Sequence, residues 1–203
     1  MYEELVNYCF ETFPQISADS KRKVEEVLRQ YKLYGKVKPI FTTEPLKETC
    51  QGDIFSEIKW LSYNDDGRII ERKEKCFLLS TTCDACRKEH LVFSPVIPID
   101  YICKEEEFEK KKVIKSNCTT EFLYLMGSKF DDYVVDLGNI FSFPRALFEK
   151  LLSSGNIHKE SSLSDEGLYL FVTKFTLAYM RWQDPKIEVK RSIYKKYKQF
   201  WFL

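Results

Sequence analysis

The sequence predicts an α+β protein in which helices flank a small β-barrel. Helical periodicity occupies both ends of the chain, whereas short strand-like segments separated by Gly, Pro, Asn and Asp cluster in the middle. Strands that follow one another between helices favour a barrel with helices packed on it. We therefore expect an N-terminal helical arm at residues 1–35, a barrel core at 36–155 with a helical insertion around 104–126, and C-terminal helices at 156–203 packed on the barrel.

Composition places the chain among globular proteins and excludes several functional classes. Its 203 residues are 44% apolar and 15% aromatic, so one domain with appendages can bury a sizeable core. Gly and Pro number seven each, which is too few for a collagen-like or low-complexity chain. Because 32 Lys and Arg balance 31 Asp and Glu, the chain is not a uniformly basic nucleic-acid binder. This balance does not exclude a local basic patch.

The N-terminal arm is predicted to be a pair of helices. The first runs over about residues 2–13 and ends before Pro14, because proline disfavours helical backbone at the preceding residue. Ser17 is a suitable N-cap for the second helix, and Gly35 is a suitable C-cap. Apolar residues between these caps recur at helical spacing and predict one buried face: Val24, Val27, Leu28, Tyr31 and Tyr34.

The central region is predicted to contain the strands of the barrel. Residues 54–60 form the first strand, and 64–67 (Asn-Asp-Asp-Gly) form a hairpin turn, since these residue types tolerate positive φ. The chain returns as a strand at 68–71. Pro95 is expected to end a later strand because it lacks a backbone N–H. Further strands are predicted at 76–80, 91–94 and 133–137.

Three more helical segments are predicted downstream. Residues 104–115 hold five lysines and four glutamates, which is typical of a solvated helix face. A short helix opens at residues 143–145 and ends near 153–155. The last strong helix begins after Ser164, a good N-cap, carries a long apolar stripe and ends at residues 184–185 (Asp-Pro).

Targeting signals are not evident in the sequence. The N-terminus has no basic segment followed by a long apolar one, and no apolar run approaches the ~18 residues of a membrane span. Seven cysteines are an odd number, and a chain of this size does not need disulfides. We therefore expect a cytoplasmic protein with reduced thiols and no membrane partner.

Polar residues concentrate at 80–84, where a predicted buried strand ends. Cys83 could act as a nucleophile and Asp84 as a base at a barrel mouth. The favoured interpretation is structural, because buried thiols are common: Asp84 caps the turn and Cys83 is a small core residue.

Cys83, Cys86 and His90 have the spacing of half a zinc site, C-x2-C-x3-H. Structural zinc requires four ligands, and the sequence has no second C-x2-C. We therefore expect no cofactor and keep zinc as a weak alternative, with Cys76, Cys103 or Cys118 as the fourth ligand. Thioredoxin-like redox chemistry is less favoured still, because no suitable strand–helix–strand context is evident.

The tail at residues 186–203 carries six Lys and Arg against one glutamate, interleaved with aromatic residues. Such a tail can track a phosphate backbone and stack on bases. The favoured interpretation is a helix docked on the barrel or on a partner, because aromatic residues recur at helical spacing.

Four short motifs, taken in order, resemble a known family. Residues 51–55 (QGDIF) resemble the start of the first barrel strand in PemK/MazF-type toxins. Residues 77–84 (FLLSTTCD) resemble the LLSxxCD strand and turn of a poorly characterised bacterial and phage group that looks related to those toxins. Residues 93–96 (FSPV) match a strand that follows in that group. Residues 162–165 (SLSD) with 179–181 (YMR) match its C-terminal helix, so the resemblance covers roughly 51–182.

This resemblance implies an SH3-like barrel and a toxin–antitoxin or phage-defence role. PemK/MazF-type enzymes cleave RNA with an Arg after the first hairpin and a Thr or Ser after a later strand. Arg72, or less well Arg68, matches the Arg. The hydroxyl position falls near Ile97 or Pro98, neither of which has a hydroxyl, so ribonuclease activity stays open.

Two functional hypotheses follow. In the first, the chain binds or cleaves RNA or DNA, with Asp84 as base and Arg72 stabilising phosphate charge. Cys83 and Ser80 complete the candidate catalytic set, and the candidate nucleic-acid-binding residues are Arg68, Lys190, Arg191 and Lys195. In the second, the chain is a non-catalytic module that binds a protein partner or a second copy of itself.

Overall fold

A computed structural model describes residues 22, 40–104, 106–117, 119, 121–126 and 130–180. The predicted N-terminal helix pair and the basic tail therefore lie outside the described residues. The strands are β1 (Ile54–Tyr63), β2 (Ile69–Leu78), β3 (His90–Pro98), β4 (Phe122–Tyr124), β5 (Tyr133–Asp136), β6 (Phe141–Pro144) and β7 (Lys159–Ser161). The helices are α1 (Thr82–Ala85), α2 (Phe108–Lys115), α3 (Arg145–Ser153) and α4 (Asp165–Met180), with a 3-10 turn at Ile99–Tyr101.

The strands form one antiparallel sheet in the order β4-β5-β3-β2-β1-β7, with β6 also paired to β3. The mixed α/β prediction is confirmed. Within the described residues the two ends of this path, β4 and β7, do not pair with each other, so the sheet is not closed. The SH3-like barrel therefore stays a prediction.

Strand β3 is longer than the sequence predicted, because it continues through Pro95. Its outer edge pairs with β6 up to Phe93 and with β5 from Val96 onwards. Pro95 lies in the gap between these two ladders, where a missing N–H costs no ladder hydrogen bond. Strand β6 was missed because it is only four residues long and leads directly into α3.

Strand β2 is continuous, whereas the sequence predicted two separate strands. Its charged half alternates Glu, Arg and Lys without an apolar face, which hides it from period-2 patterns. The half that begins at Cys76 is buried. The turn at 64–67 is confirmed: Gly67 has φ +76°, and the Asn64 side chain accepts from the backbone N–H of Arg68 at 2.8 Å.

Two apolar clusters cover the two faces of the sheet. One packs Phe77 of β2 against Phe171 of α4, with ring centroids 4.9 Å apart. The other packs Phe55 of β1 against Phe148 of α3, also at 4.9 Å. Helix α4 is thereby fixed on one face of the sheet by the apolar stripe that the sequence predicts, and α3 packs on the other face. A smaller cluster holds α2 through Ile114.

The β1–β2 hairpin extends beyond the rest of the sheet. Strand β3 pairs with β2 only at residues 75–78, and β7 pairs with β1 only at 54–55. Residues 58–74 therefore form a two-stranded ribbon. None of the described helices is long and apolar enough to cross a membrane.

Candidate functional site

The polar residues singled out in the sequence lie on one loop between β2 and β3, here called the CD loop (residues 80–90). Thr81 caps α1, since its Oγ1 accepts from the backbone N–H of Asp84 at 3.2 Å. The sequence assigned this capping role to Asp84, and that assignment is wrong. A threonine one residue before the helix is the better acceptor for the free N–H groups of the first turn.

Ser80 has a structural role at the start of the CD loop. Its Oγ accepts from the backbone N–H of Val92 at 2.8 Å, and the backbone N–H of Leu79 donates to the Val92 carbonyl at 2.9 Å. These bonds join the end of β2 to β3 beyond the regular ladder. The hydroxyl of Ser80 is therefore used in holding the two strands together.

The chemically reactive side chains of the CD loop face outwards. Cys83, Cys86 and His90 are exposed, and Asp84 is half-buried. The prediction that Cys83 is a core residue is wrong, because Ala85 is the buried residue of α1 and packs against the α3 cluster. A helix of one turn can bury only one side against the core, and in α1 the buried residue is Ala85.

The side chains of the CD loop are not arranged as a zinc site. Among the residues that the structure describes, no group of three or more His, Cys, Asp and Glu side chains is arranged to hold a metal ion. Two of the proposed fourth ligands, Cys76 and Cys103, are buried in separate apolar clusters. The third, Cys118, lies outside the described residues.

The candidate arginines lie on the hairpin, away from the CD loop. Arg72 Nε donates to Ser62 Oγ at 3.2 Å, and its Nη1 is 4.0 Å from Glu74. Six residues separate Arg72 from the end of β2, which corresponds to ~20 Å along a strand. Arg68 lies still further out, at the hairpin turn. The structure therefore does not bring Arg72 and Asp84 together, and Lys190, Arg191 and Lys195 lie outside the described residues.

A second polar group, here called the GD junction, consists of Asp53, Lys159 and Ser162 and was not predicted. Asp53 is 0% exposed, and its carboxylate is 2.7 Å from Lys159 Nζ. Ser162 Oγ donates to Asp53 Oδ1 at 2.6 Å, and the backbone N–H of Cys50 donates to Oδ2 at 2.8 Å. Both oxygens are thus satisfied by donors, as a buried carboxylate requires.

Glycines allow the segments around the GD junction to approach closely. Gly52 has φ +88°, and a Cβ there would lie 2.6 Å from Leu163 Cδ1. In α4, a Cβ on Gly167 would clash with the backbone carbonyl of Ile40. These contacts bring together the GD and SLS motifs, whose residues are more than 100 positions apart. Gly-Asp in the sequence was a signal for this site, but its partners could not be identified from spacing.

Gln51 connects the GD junction to the CD loop. Its backbone N–H donates to Thr82 Oγ1 at 3.1 Å, and its side-chain Nε2 donates to the Leu79 carbonyl at 2.7 Å. Three of the motifs that carried the family resemblance therefore meet in one region. Their hydroxyls and Asp53 serve mainly to fix the backbone.

The hairpin ribbon presents an apolar surface, here called the hairpin patch: Leu61, Tyr63 and Ile69. Their exposed fractions are 67%, 72% and 63%. Tyr63 and Ile69 are directly paired, and Leu61 is two residues before Tyr63, so all three share one face. Two cross-strand ion pairs flank the patch, Lys59–Glu71 at 2.9 Å and Lys73–Glu57 at 2.8 Å. The Lys73 ammonium holds the pKa of the Glu57 carboxyl below its usual range.

The opposite face of the ribbon is packed against the protein. Trp60 stacks on Phe141 of β6 with ring centroids 4.6 Å apart and an interplanar angle of 4°. Glu74 and Asp136 occupy the neighbouring part of the sheet, and burial raises the pKa of both carboxyls. The Asp136 charge also raises the pKa of Glu74, and the Glu121 charge also raises that of Asp136.

Comparison with known proteins adds no relative: no family model matches the chain, and a search of curated proteins finds no match. The resemblance to PemK/MazF-type toxins therefore stays a prediction that depends on four short motifs.

Proposed function

We propose that this chain is a non-catalytic interaction module that associates with a second copy of itself through the hairpin patch. The observation that carries the proposal is the exposed apolar face of a ribbon that extends beyond its own sheet. Three large side chains, each more than 60% exposed, lie side by side there. Contiguous apolar surface of this kind marks interaction sites more often than single exposed residues do.

The two faces of the ribbon support this interpretation. Ile58 and Trp60 are buried against the chain's own core, whereas Leu61 and Tyr63 on the other face are 67% and 72% exposed. The open face carries apolar side chains beside the charged Lys59 and Glu71, so it is only partly polar. A second copy would supply the cover on the open face.

Charge favours a second copy as the occupant. Residues 56–75 hold five Lys and Arg and five Asp and Glu, so two ribbons do not repel each other by net charge. A two-fold axis through the patch places each apolar residue opposite the same surface of the other copy, with the ion pairs at the rim. Three apolar side chains are few compared with the roughly 20–30 residues that each partner contributes to a standard interface, so we expect a weak, concentration-dependent dimer.

The candidate catalytic residues favour binding over catalysis. Ser80 is used in strand pairing, and Arg72 lies about 20 Å along β2 from the CD loop. Cys83 is exposed and Asp84 half-buried on the turn that Thr81 caps. A nucleophile needs a base within hydrogen-bond reach and a group that orients that base.

Sedimentation velocity over a wide concentration range tests the proposal. We expect the full chain to shift from monomer towards dimer as concentration rises, and the triple variant Leu61→Ser, Tyr63→Ser, Ile69→Thr to remain monomeric. The matched control is Tyr101→Ser with Phe108→Ser, which removes two equally exposed aromatic side chains elsewhere. A monomer at every concentration, or a triple variant that dimerises like the wild type, would falsify the proposal.

We also propose the finer fold and setting that the motifs imply, a PemK/MazF-like SH3-like barrel acting in toxin–antitoxin or phage-defence biology. One long strand that changes partner from β6 to β5 along the same edge supports a strongly curled sheet. Incubation with mixed RNA and DNA tests the nucleic-acid part, with Asp84→Ala and Arg72→Ala for comparison. Cleavage that both variants abolish, or salt-dependent binding, would replace the interaction module as the favoured function.

A further inference from the structure

The CD loop carries two thiols that face solvent, three residues apart. Among the described cysteines, Cys83 and Cys86 are exposed, whereas Cys76 and Cys103 are buried and Cys50 is half-buried. We propose that Cys83 and Cys86 form a redox couple, a dithiol that low-molecular-weight disulfides such as oxidised glutathione convert into an intrachain disulfide. This modification site is independent of the hairpin patch.

The backbone of α1 places the two cysteines at a suitable separation. Residues three apart in helical backbone have Cα atoms about 5 Å apart, inside the range of about 4.4–6.8 Å that disulfides span. Cys86, which follows α1, keeps right-handed helical backbone with φ −98° and ψ −4°. The turn therefore does not have to unfold for the two sulfur atoms to meet.

The side chain of Cys86 already points back towards Cys83. Its Sγ is 3.2 Å from the Cys83 carbonyl oxygen and 3.8 Å from the Thr82 carbonyl oxygen. Helical side chains three apart have Cβ atoms about 5–6 Å apart, whereas a disulfide needs about 3.5–4.5 Å. On this comparison, the Cβ atoms of Cys83 and Cys86 must move about 1–2 Å closer together for the disulfide to form.

The surroundings allow that movement at the Cys86 end. Cys86, Arg87 and Lys88 are all exposed, so a shift there meets the backbone hydrogen bonds of Arg87 and Lys88 to the Asp84 carbonyl but no core packing. The other end of the turn is fixed, because Thr81 accepts from the backbone N–H groups of Asp84 and Ala85 and the Ala85 side chain is buried. Oxidation therefore changes the exposed half of the CD loop and leaves its anchor in place.

The chemistry balances as two successive exchanges. One thiolate attacks a sulfur of oxidised glutathione and releases one glutathione thiolate, which leaves a mixed disulfide on the protein. The second cysteine then attacks the protein sulfur of that mixed disulfide and releases the second glutathione. Two electrons and two protons pass from the dithiol to the oxidant, which becomes two molecules of glutathione.

Intact-mass measurement and peptide mapping of the full chain, treated with oxidised glutathione, test the proposal. We expect the loss of two hydrogen atoms per chain and a crosslinked Cys83–Cys86 peptide, both reversed by dithiothreitol. The single variants Cys83→Ser and Cys86→Ser should instead stop at the mixed disulfide with glutathione. Circular dichroism of each variant, in which an exposed thiol becomes a hydroxyl, checks that the fold is kept.

Cys50→Ser is the matched control, because it removes a thiol outside the couple. Burial, followed by the nearby Asp53 charge, raises the pKa of the Cys50 thiol, which disfavours the reactive thiolate. This variant should still form the intrachain disulfide. Wild-type protein that shows only mixed disulfides, only links between chains or no reaction would overturn the proposal, as would a two-hydrogen loss that persists in Cys83→Ser.

Discussion

The CD loop and the GD junction were both marked by short polar motifs, yet the fold uses them in different ways. At the GD junction, Asp53 is fully buried and its oxygens accept from a lysine, a serine and a backbone N–H. On the CD loop, Cys83 and Cys86 face solvent, and the bonds that shape the loop come from Ser80 and Thr81. Two short polar motifs can therefore have different roles in the same fold.

The difference teaches that partners and burial, more than residue type, decide what a polar motif contributes. A buried carboxylate with a full set of donors holds segments together. Removing one member of such a group strongly lowers the free energy of unfolding, because the remaining polar groups stay buried without a partner. An exposed thiol contributes little to stability and is available for chemistry. The two regions touch through Gln51, so the stable junction positions the reactive loop.

Asp53→Ala should give the largest effect, because it would leave the Lys159 ammonium without its carboxylate in a largely buried position. Removing one member of a buried ion pair costs about 3–5 kcal/mol of unfolding free energy. Lys159 Nζ would keep its two backbone acceptors, the carbonyls of Leu46 and Glu48. Urea denaturation followed by circular dichroism measures the loss.

Asp84→Ala is the matched control for Asp53→Ala, since it removes the carboxylate of the other motif. Its side chain is only half-buried, and the cap of α1 comes from Thr81. We expect a change within about 0.5 kcal/mol. Equal losses in the two variants would show that the contrast between the junction and the loop is wrong.

The sequence allowed the elements to be predicted better than the site. The turn at 64–67, the N-cap Ser164 and the short helix near residue 145 are local features, and each is confirmed. Ser164 Oγ accepts from the backbone N–H of Gly167 at 3.1 Å, as an N-cap should. Local hydrogen bonds of this kind depend on residues three or four apart, which a sequence displays directly.

The GD junction could not be predicted because its partners are distant in the chain. Asp53 meets Lys159 and Ser162 where β1 pairs with β7. Cys83 was assigned to the core because small thiols are usually buried, and the sequence did not show which side of the one-turn helix faces inwards. Long-range pairing and the direction of a short helix are decided by packing.

Gly167→Ala tests the close packing around the GD junction at a second position. In most helices this change stabilises by about 0.5–1 kcal/mol, since glycine loses more backbone entropy on folding. Here the added Cβ would clash with the carbonyl of Ile40, so we expect the opposite sign and a loss of about 1–3 kcal/mol. Thermal and urea denaturation both report this change.

Gly155→Ala is a useful comparison for that prediction. Gly155 has φ +73° but no atom within 4 Å of an added Cβ, so only backbone strain opposes the substitution. We expect a loss of about 1 kcal/mol. A stabilising effect of Gly167→Ala would mean that α4 does not lie so close to Ile40.

Apart from the control variants, Asp136→Asn should give the smallest effect, and its sign is opposite to that of Asp53→Ala. Burial, and then the Glu121 charge, raise the pKa of Asp136, so the folded state binds its proton more tightly than the unfolded state does. Stability from this group is therefore present at low pH and is lost as pH rises above the usual carboxyl range of about 4. Asparagine removes that loss and can still accept from the backbone N–H of Gly138, which Asp136 Oδ1 does at 3.1 Å.

We expect the Asp136→Asn variant to gain less than about 1 kcal/mol of unfolding free energy near pH 7, because the group is partly exposed, and to gain nothing near pH 3. Urea denaturation at both pH values measures it, and a loss of stability near pH 7 would mean that the Asp136 charge is held by partners as Asp53 is.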